Sequence, residues 1–177
     1  SALLARNLNL RQWDEHFQNL AIYGYFTGAK KLPTPDENNI FIESYENGWV
    51  WTIPLNDDIT SVGAVVDSNE SNTELQKTDP ITFLKDQLSL TNRTSDMLSE
   101  AELQSDAKIL KDWSYTTSKM AGDGWVLAGD AACFIDPLFS SGVHLAMMSG
   151  VLASAYAVTY LKDKILGKES ALVYETL

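Results

Sequence analysis

Residues 129–146 read "GDAACFIDPLFSSGVHLA", and the order of features in this stretch decides the fold. Just upstream, "GDGWVLA" gives a turn and then an apolar run, Trp125 to Ala128, expected as a buried strand. Gly129 and Asp130 follow, so a carboxylate stands at the carboxyl end of that strand. Ligands of open α/β sheets sit there, and a carboxylate is suited to accept hydrogen bonds from sugar hydroxyls. Pro137 fixes the loop and lacks an N–H. Ser140, Ser141 and Gly142 then open a long apolar helix, expected to start near Ser141 or Gly142. Its first N–H groups have no intrahelical partner and carry the positive end of the helix dipole. Gly142 has no side chain, so a flat ligand edge or an anion can approach the backbone closely. Each feature alone reads as an ordinary strand-to-helix turn. Together, within 18 residues, they suit a flat, electron-rich ligand.

The rest of the chain adds an antiparallel sheet. "NLAIYGYFTG" (19–28) alternates like a strand, and "KKLPTPDEN" is a loop punctuated by Pro33 and Pro35. In "NIFIESYENGWVWTIPL" (39–55), Asn47-Gly48 predicts a two-residue type I′ hairpin turn. That turn pairs Glu46 with Trp49, Ser44 with Trp51 and Ile42 with Ile53. One face then carries Trp49, Trp51, Ile42 and Ile53, with small Ser44 opposite Trp51. The other carries Phe41, Glu43, Tyr45, Val50 and Thr52. Asp57-Asp58 makes the next turn, and "ITSVGAVVD" (59–67) is a third strand. Residues 69–104 are polar and helix-patterned, with Asp79 as N-cap, Pro80 at N1 and a stripe of Ile81, Leu84 and Leu88. One or two short strands are expected in 107–119. The predicted class is α/β, an antiparallel sheet attached to a buried βα unit.

The bulk numbers narrow the function. The chain has 177 residues, 45% hydrophobic and 21% charged, with a formal net charge of -11. Such acidity speaks against nucleic acid and anionic membrane partners, which want basic patches. One cysteine, Cys133, rules out an internal disulfide and a cysteine metal cluster; two separated histidines, His16 and His144, point to no metal site. A reducing, cytoplasmic setting fits best. The 19 residues from Val143 to Leu161 carry no formal charge, near the length that spans a bilayer. Their Ser, Thr, Tyr, His and Gly content favours a buried helix of a soluble protein. Both ends read as helices already under way, so the chain is expected to be a piece of a longer protein.

"GWVLAGDAACFIDPLFSSGVHLA" (124–146) resembles the second flavin motif of FAD-dependent enzymes with the monooxygenase-like fold, and "DPLFSSGVHLA" is similar to the flavin-dependent halogenases. "GWVWTIPL" (48–55) fits the Trp-x-Trp-x-Ile-Pro pattern of those halogenases through Trp49, Trp51, Ile53 and Pro54. "SALLARNL" resembles the segment after that family's Asp-x-x-Gly motif. The resemblance covers most of residues 1–165. It implies a partial FAD-binding fold with a helix remnant of the FAD domain at 1–18, a substrate-side antiparallel sheet with small helices at 19–119, and the second half of the FAD region at 120–177.

By that resemblance Gly129, Asp130, Pro137, Ser140, Ser141, Gly142 and Val143 would hold FAD. Asp130 would meet the ribityl or pyrophosphate region, Pro137 the isoalloxazine, and the 140–143 backbone the pyrimidine edge. Ser141 and Gly142 would border a halide ion. Trp49, Trp51, Ile53 and Pro54 would line the tunnel between flavin and substrate. Reduced FAD, supplied by a partner flavin reductase, would act with O2 and halide to give hypohalous acid for an electron-rich aromatic. The family's GxGxxG motif and catalytic lysine lie upstream of "SALLAR" and are not in this chain, so no catalytic residue is assigned and tight FAD binding by the piece alone is not expected. Lys30 and Lys31 do not match the lysine position and read as solvated charges. The tryptophan-halogenase branch has a glutamate before Ser-Thr-Gly; Phe139 stands there, which points to a phenol or pyrrole, free or tethered to a carrier protein. Two rival readings are a flavin monooxygenase or reductase of the same fold, and a non-catalytic structural remnant.

Overall fold

The computed structural model describes residues 2–56, 58–111 and 114–176. It comprises two compact units, Gln18–Asp112 and a discontinuous unit of Ser1–Phe17 with Trp113–Leu177. In chain order the elements are α1 (Leu3–Asn7), β1 (Arg11–Trp13), β2 (Asn19–Thr27), β3 (Phe41–Tyr45), β4 (Gly48–Pro54), β5 (Ile59–Asp67), α2 (Ser68–Leu75), α3 (Pro80–Ser89), α4 (Arg93–Met97), β6 (Glu102–Leu103) and β7 (Lys108–Lys111). The chain continues through β8 (Tyr115–Thr117), β9 (Ala121–Gly122), β10 (Trp125–Val126), a 3-10 turn at Gly129–Ala131, α5 (Gly142–Lys162) and α6 (Lys164–Thr176).

The larger sheet runs β3-β4-β5-β2, with β6 and β7 both pairing the outer side of β2; every pair is antiparallel. One face is the core. Leu20, Ile22, Phe26, Val50, Val62, Ala64 and Val66 meet Phe83, Leu84 and Leu88 of α3. Each fully buried side chain of this size contributes about 1.5–3 kcal/mol by leaving water. α3 starts as its sequence dictates: Asp79 accepts from the N–H of Ile81 at 3.0 Å and Thr82 at 3.1 Å, and Pro80 fills the first turn. The opposite face is aromatic and carries Tyr23, Tyr25, Trp49 and Trp51.

The β3–β4 hairpin keeps its expected faces but not its register. Tyr45 pairs with Gly48, Ser44 with Trp49 and Ile42 with Trp51. The turn is therefore Glu46-Asn47, and neither residue adopts the positive φ of a type I′ turn. Gly48 belongs to the ladder because it lies against Val65 of β5 so closely that a Cβ would collide with the Val65 carbonyl. Each partner moves by two residues, one full strand period, so the side chains stay on the same faces. Ser44 thus faces Trp49, and Ile42 faces Trp51. In the next turn Asn56 Oδ1 accepts from Asp58 N at 3.2 Å and Ile59 N at 2.8 Å; Asp57 lies outside the described residues.

Glu43, on the core side of β3, is a cap. Its carboxylate accepts from the backbone N–H of Asn92, Arg93 and Thr94 at 2.9, 3.0 and 2.8 Å, and from the Thr94 hydroxyl at 2.8 Å. Burial raises its pKa, but the hydrogen bonds outweigh this and hold it below the ordinary 4.5. The stability it contributes is complete above about pH 4.5 and is lost as pH falls through the lowered value. Glu43→Gln should therefore cost about 1 kcal/mol at pH 7. The difference from wild type, read from urea titrations, should shrink as pH falls towards 3.

In the discontinuous unit β1 pairs with β8, and β9 with β10, as two-stranded antiparallel ribbons. The expected strand at Trp125 to Ala128 shortens to Trp125–Val126 and has only β9 as partner among the described residues. It ends there because β9 offers only Ala121–Gly122 to pair with; Ala128 is still extended, and the positive φ of Gly129 then turns the chain into the 3-10 turn. α5 begins at Gly142 as expected, but it is not the buried helix the composition predicts: of its residues only Tyr156 is buried. It is long and apolar enough to cross a membrane by length and composition. A helix apolar on all sides needs neighbours on all sides, and among the described residues α6, the 3-10 turn and β10 cover it only in part. α6 approaches closely because a Cβ at Gly167 would lie 2.5 Å from the Tyr160 Cα.

Candidate functional site

The loop from Gly129 to the start of α5 is held by props that the sequence does not announce. Gly129 has φ +55, and a Cβ there would meet Ala146 Cα at 3.2 Å, so this position requires glycine for both conformation and space. Its N–H donates to Ser149 Oγ at 2.8 Å, and that hydroxyl donates to Leu145 O at 2.6 Å. From α6, the Tyr174 hydroxyl donates to Leu127 O at 2.7 Å. On the other side Tyr115 and Phe134 exchange two backbone hydrogen bonds of 2.8 Å, and the Tyr115 hydroxyl donates to the backbone oxygen of Asp130. Burial chiefly, and the Asp130 charge, raise the Tyr115 pKa, so it remains a donor. Arg11 lies over the Tyr115 ring at 4.3 Å. None of Ser149, Tyr115, Tyr174 or Arg11 was legible as part of the site, because each reaches it from a distant segment.

These props bring Asp130, Phe134 and Gly142 together. The Asp130 carboxylate is exposed, and its Oδ1 lies 4.0 Å from where a Gly142 Cβ would stand; Phe134 Cε2 lies 3.8 Å from it. A side chain at Gly142 would thus meet only ordinary contacts, and the space over the helix start is open. The first hydrogen bond of α5 runs from Leu145 N to Ser141 O at 2.9 Å. Ser141 gives no side-chain cap, so the N–H groups of Gly142 and Val143 point out of the helix without one. Ser140 enters the helix with φ +52, which a non-glycine residue rarely adopts. Pro137 O accepts from Ser140 N at 3.0 Å and closes the turn. Pro137, Phe139 and Val143 are exposed apolar groups beside this opening. Cys133 is half-buried, and burial with the nearby Asp130 charge raises its thiol pKa, which keeps it protonated.

An open glycine, uncapped N–H groups, a nearby exposed carboxylate and a flat apolar rim fit a flavin with a negative edge. Among the described residues no group of three or more His, Cys, Asp and Glu could hold a metal ion.

The tryptophan motif lies on the aromatic face of the larger sheet. Trp49 and Trp51 stand with ring centroids 6.0 Å apart, and Tyr23 lies 5.8 Å from Trp51. Ile53 and Pro54 continue β4 and are half-buried. Lys30 is exposed and pairs with Asp96 at 3.0 Å, a surface ion pair of little energetic weight. His144 is exposed in the first turn of α5.

The chain is 35% identical over 182 residues to the 1H-pyrrole-2-carbonyl-(peptidyl-carrier protein) chlorinase of Pseudomonas fluorescens, covering 99% of this chain and 40% of that protein. It is 39% identical over 160 residues to the tryptophan 2-halogenase of Chondromyces crocatus, covering 89% of this chain and 30% of that protein. Its structure is similar to the crystal structure of CmlS, a flavin-dependent halogenase, with TM-score 0.89 and 37% identity over 97% of this chain and 31% of that one. The chain spans only 40% of the length of the first of these relatives and 30% of the second. The tryptophan halogenase family model matches residues 9–165. The chain belongs to that family, the flavin-dependent halogenases.

Proposed function

We propose that the protein containing this chain halogenates an electron-rich aromatic with reduced FAD, O2 and halide, and that this chain supplies the flavin-and-halide helix start and a substrate-side sheet. The observation that carries the reading is the open Gly142 at an uncapped helix start beside the Asp130 carboxylate. When bound, reduced FAD supplies, with O2, the oxidising power that converts halide to hypohalous acid. The residues present divide the remaining work. The N–H groups of Gly142 and Val143 favour negative charge at the flavin edge or a halide beside Ser141. Asp130 would accept hydrogen bonds from hydroxyls on the ribityl or pyrophosphate side, and Pro137 would offer an apolar surface to the ring. Trp49, Trp51, Ile53 and Pro54 offer an apolar path that excludes water and stacks an aromatic substrate.

A flavin reductase supplies the reduced cofactor, and the single cysteine supports a reducing, cytoplasmic location. Phe139 supports a phenol or pyrrole as substrate, and the likeness to a carrier-protein chlorinase supports tethering. The likeness to a tryptophan 2-halogenase keeps an indole among the candidates. The test incubates the full-length protein with FADH2, O2 and bromide against a phenol, a carrier-bound pyrrole and tryptophan. Brominated product, seen by its isotope doublet in mass spectra, is expected from the phenol or the carrier-bound pyrrole. Hydroxylated product without bromination would move the protein to the monooxygenases.

A further inference from the structure

We propose that Ser61, Gly63 and Tyr23 form a seat that fixes the ring of Trp51, and that this seat sets how well the aromatic substrate is presented. These are positioning residues acting through Trp51, and their substrate role rests on the halogenase reading above. Gly63 is the ladder partner of Trp51 on one side and of Tyr23 on the other, so it lies in the middle of three adjacent strands. A Cβ at Gly63 would stand 2.5 Å from Trp51 Cη2 and Cζ2 and 2.5 Å from Tyr23 Cβ. The glycine thus clears the floor on which the indole lies. Strands two apart in a sheet are about 9.5 Å apart. The two rings nevertheless meet at a centroid distance of 5.8 Å, tilted by 43°. They can do so only because nothing rises from the strand between them.

Ser61 adds a direction. The Trp51 indole N–H donates to Ser61 Oγ at 3.2 Å, and Ser61 is only 9% exposed. Trp49 flanks the far side at 6.0 Å. The ring is therefore held at its N–H, along its benzo edge and on both sides, yet it is only half-buried and keeps some exposed surface. A ring fixed before the substrate arrives loses no rotamer freedom on stacking, which strengthens binding. Without the serine or the glycine the indole must rotate or lift.

The test uses full-length protein. Near-UV circular dichroism is read without flavin, and KM for the aromatic is read with FADH2, O2 and bromide, with escaping hypobromous acid trapped by monochlorodimedone. Ser61→Ala should weaken the indole bands, raise KM about five-fold and increase trapped acid, while Ser61→Thr restores all three. Gly63→Ala should act in the same direction and more strongly. The spectral change of Ser61→Ala should vanish in a Trp51→Phe background, which assigns it to that ring. Unchanged spectrum and KM in Ser61→Ala, or a spectral change that persists in Trp51→Phe, would overturn the seat. A wild type that brominates nothing defeats the halogenase reading instead, and the spectra still decide whether Trp51 is seated.

Discussion

Gly142→Val in the full-length protein should reduce halogenation about 100-fold while leaving the fold intact, the scale expected when a ligand is kept from one preorganised backbone donor. The argument separates packing from ligand. Within the chain, a Cβ at Gly142 meets Phe134 Cε2 at 3.8 Å and Asp130 Oδ1 at 4.0 Å, both ordinary contacts. Replacing glycine in the first turn also removes unfolded-state freedom, so thermal stability should hardly move. The loss falls only on a ligand that needs to lie against bare backbone. FAD retention through gel filtration and the rate of bromination should fall together. Wild-type bromination with valine in place would mean that nothing approaches this helix start.

Phe83→Ala should destabilise the sheet unit by about 3–5 kcal/mol, a large share of the total stability of a domain. Phe83 is 2% exposed and packs from α3 into the core of β2, β4 and β5. The urea midpoint of that unit should drop by about 1.5–2.5 M, for a slope of about 2 kcal/mol per M. Leu90, 54% exposed just past α3, is the control, and Leu90→Ala should shift the midpoint little. Equal shifts for the two would contradict the assignment of the core face.

The parts of the fold that were legible in the sequence are those set by local chemistry. Asp79 and Pro80 start α3 because a side-chain acceptor and a missing N–H suit a first turn. The alternation in 41–54 sets which residues share a face, and it survives the register change because the pairing moves by two residues, one full strand period. The register itself was not legible: the Asn-Gly pair favours a type I′ turn locally, but the approach of Gly48 to Val65, on the following strand β5, outweighs it. Exposure of α5 was likewise hidden, because an all-round apolar composition says that a helix wants neighbours and not which ones it has. Within the site, Asp130 and Gly142 could be found from an eighteen-residue stretch; Tyr115, Ser149 and Tyr174 could not, since their roles exist only once the chain has folded back. Glu43 is similar: on the sequence it is a strand carboxylate, and in the fold it caps a helix some fifty residues away.

The measurement that tests the central claim most directly is a crystal structure of the full-length protein with FAD and bromide, with the halide located by its anomalous scattering. The flavin pyrimidine edge should lie against the backbone of Ser140 to Val143, with the bromide peak beside the Ser141 and Gly142 backbone. A flavin bound away from α5, or bromide bound only elsewhere, would contradict the account.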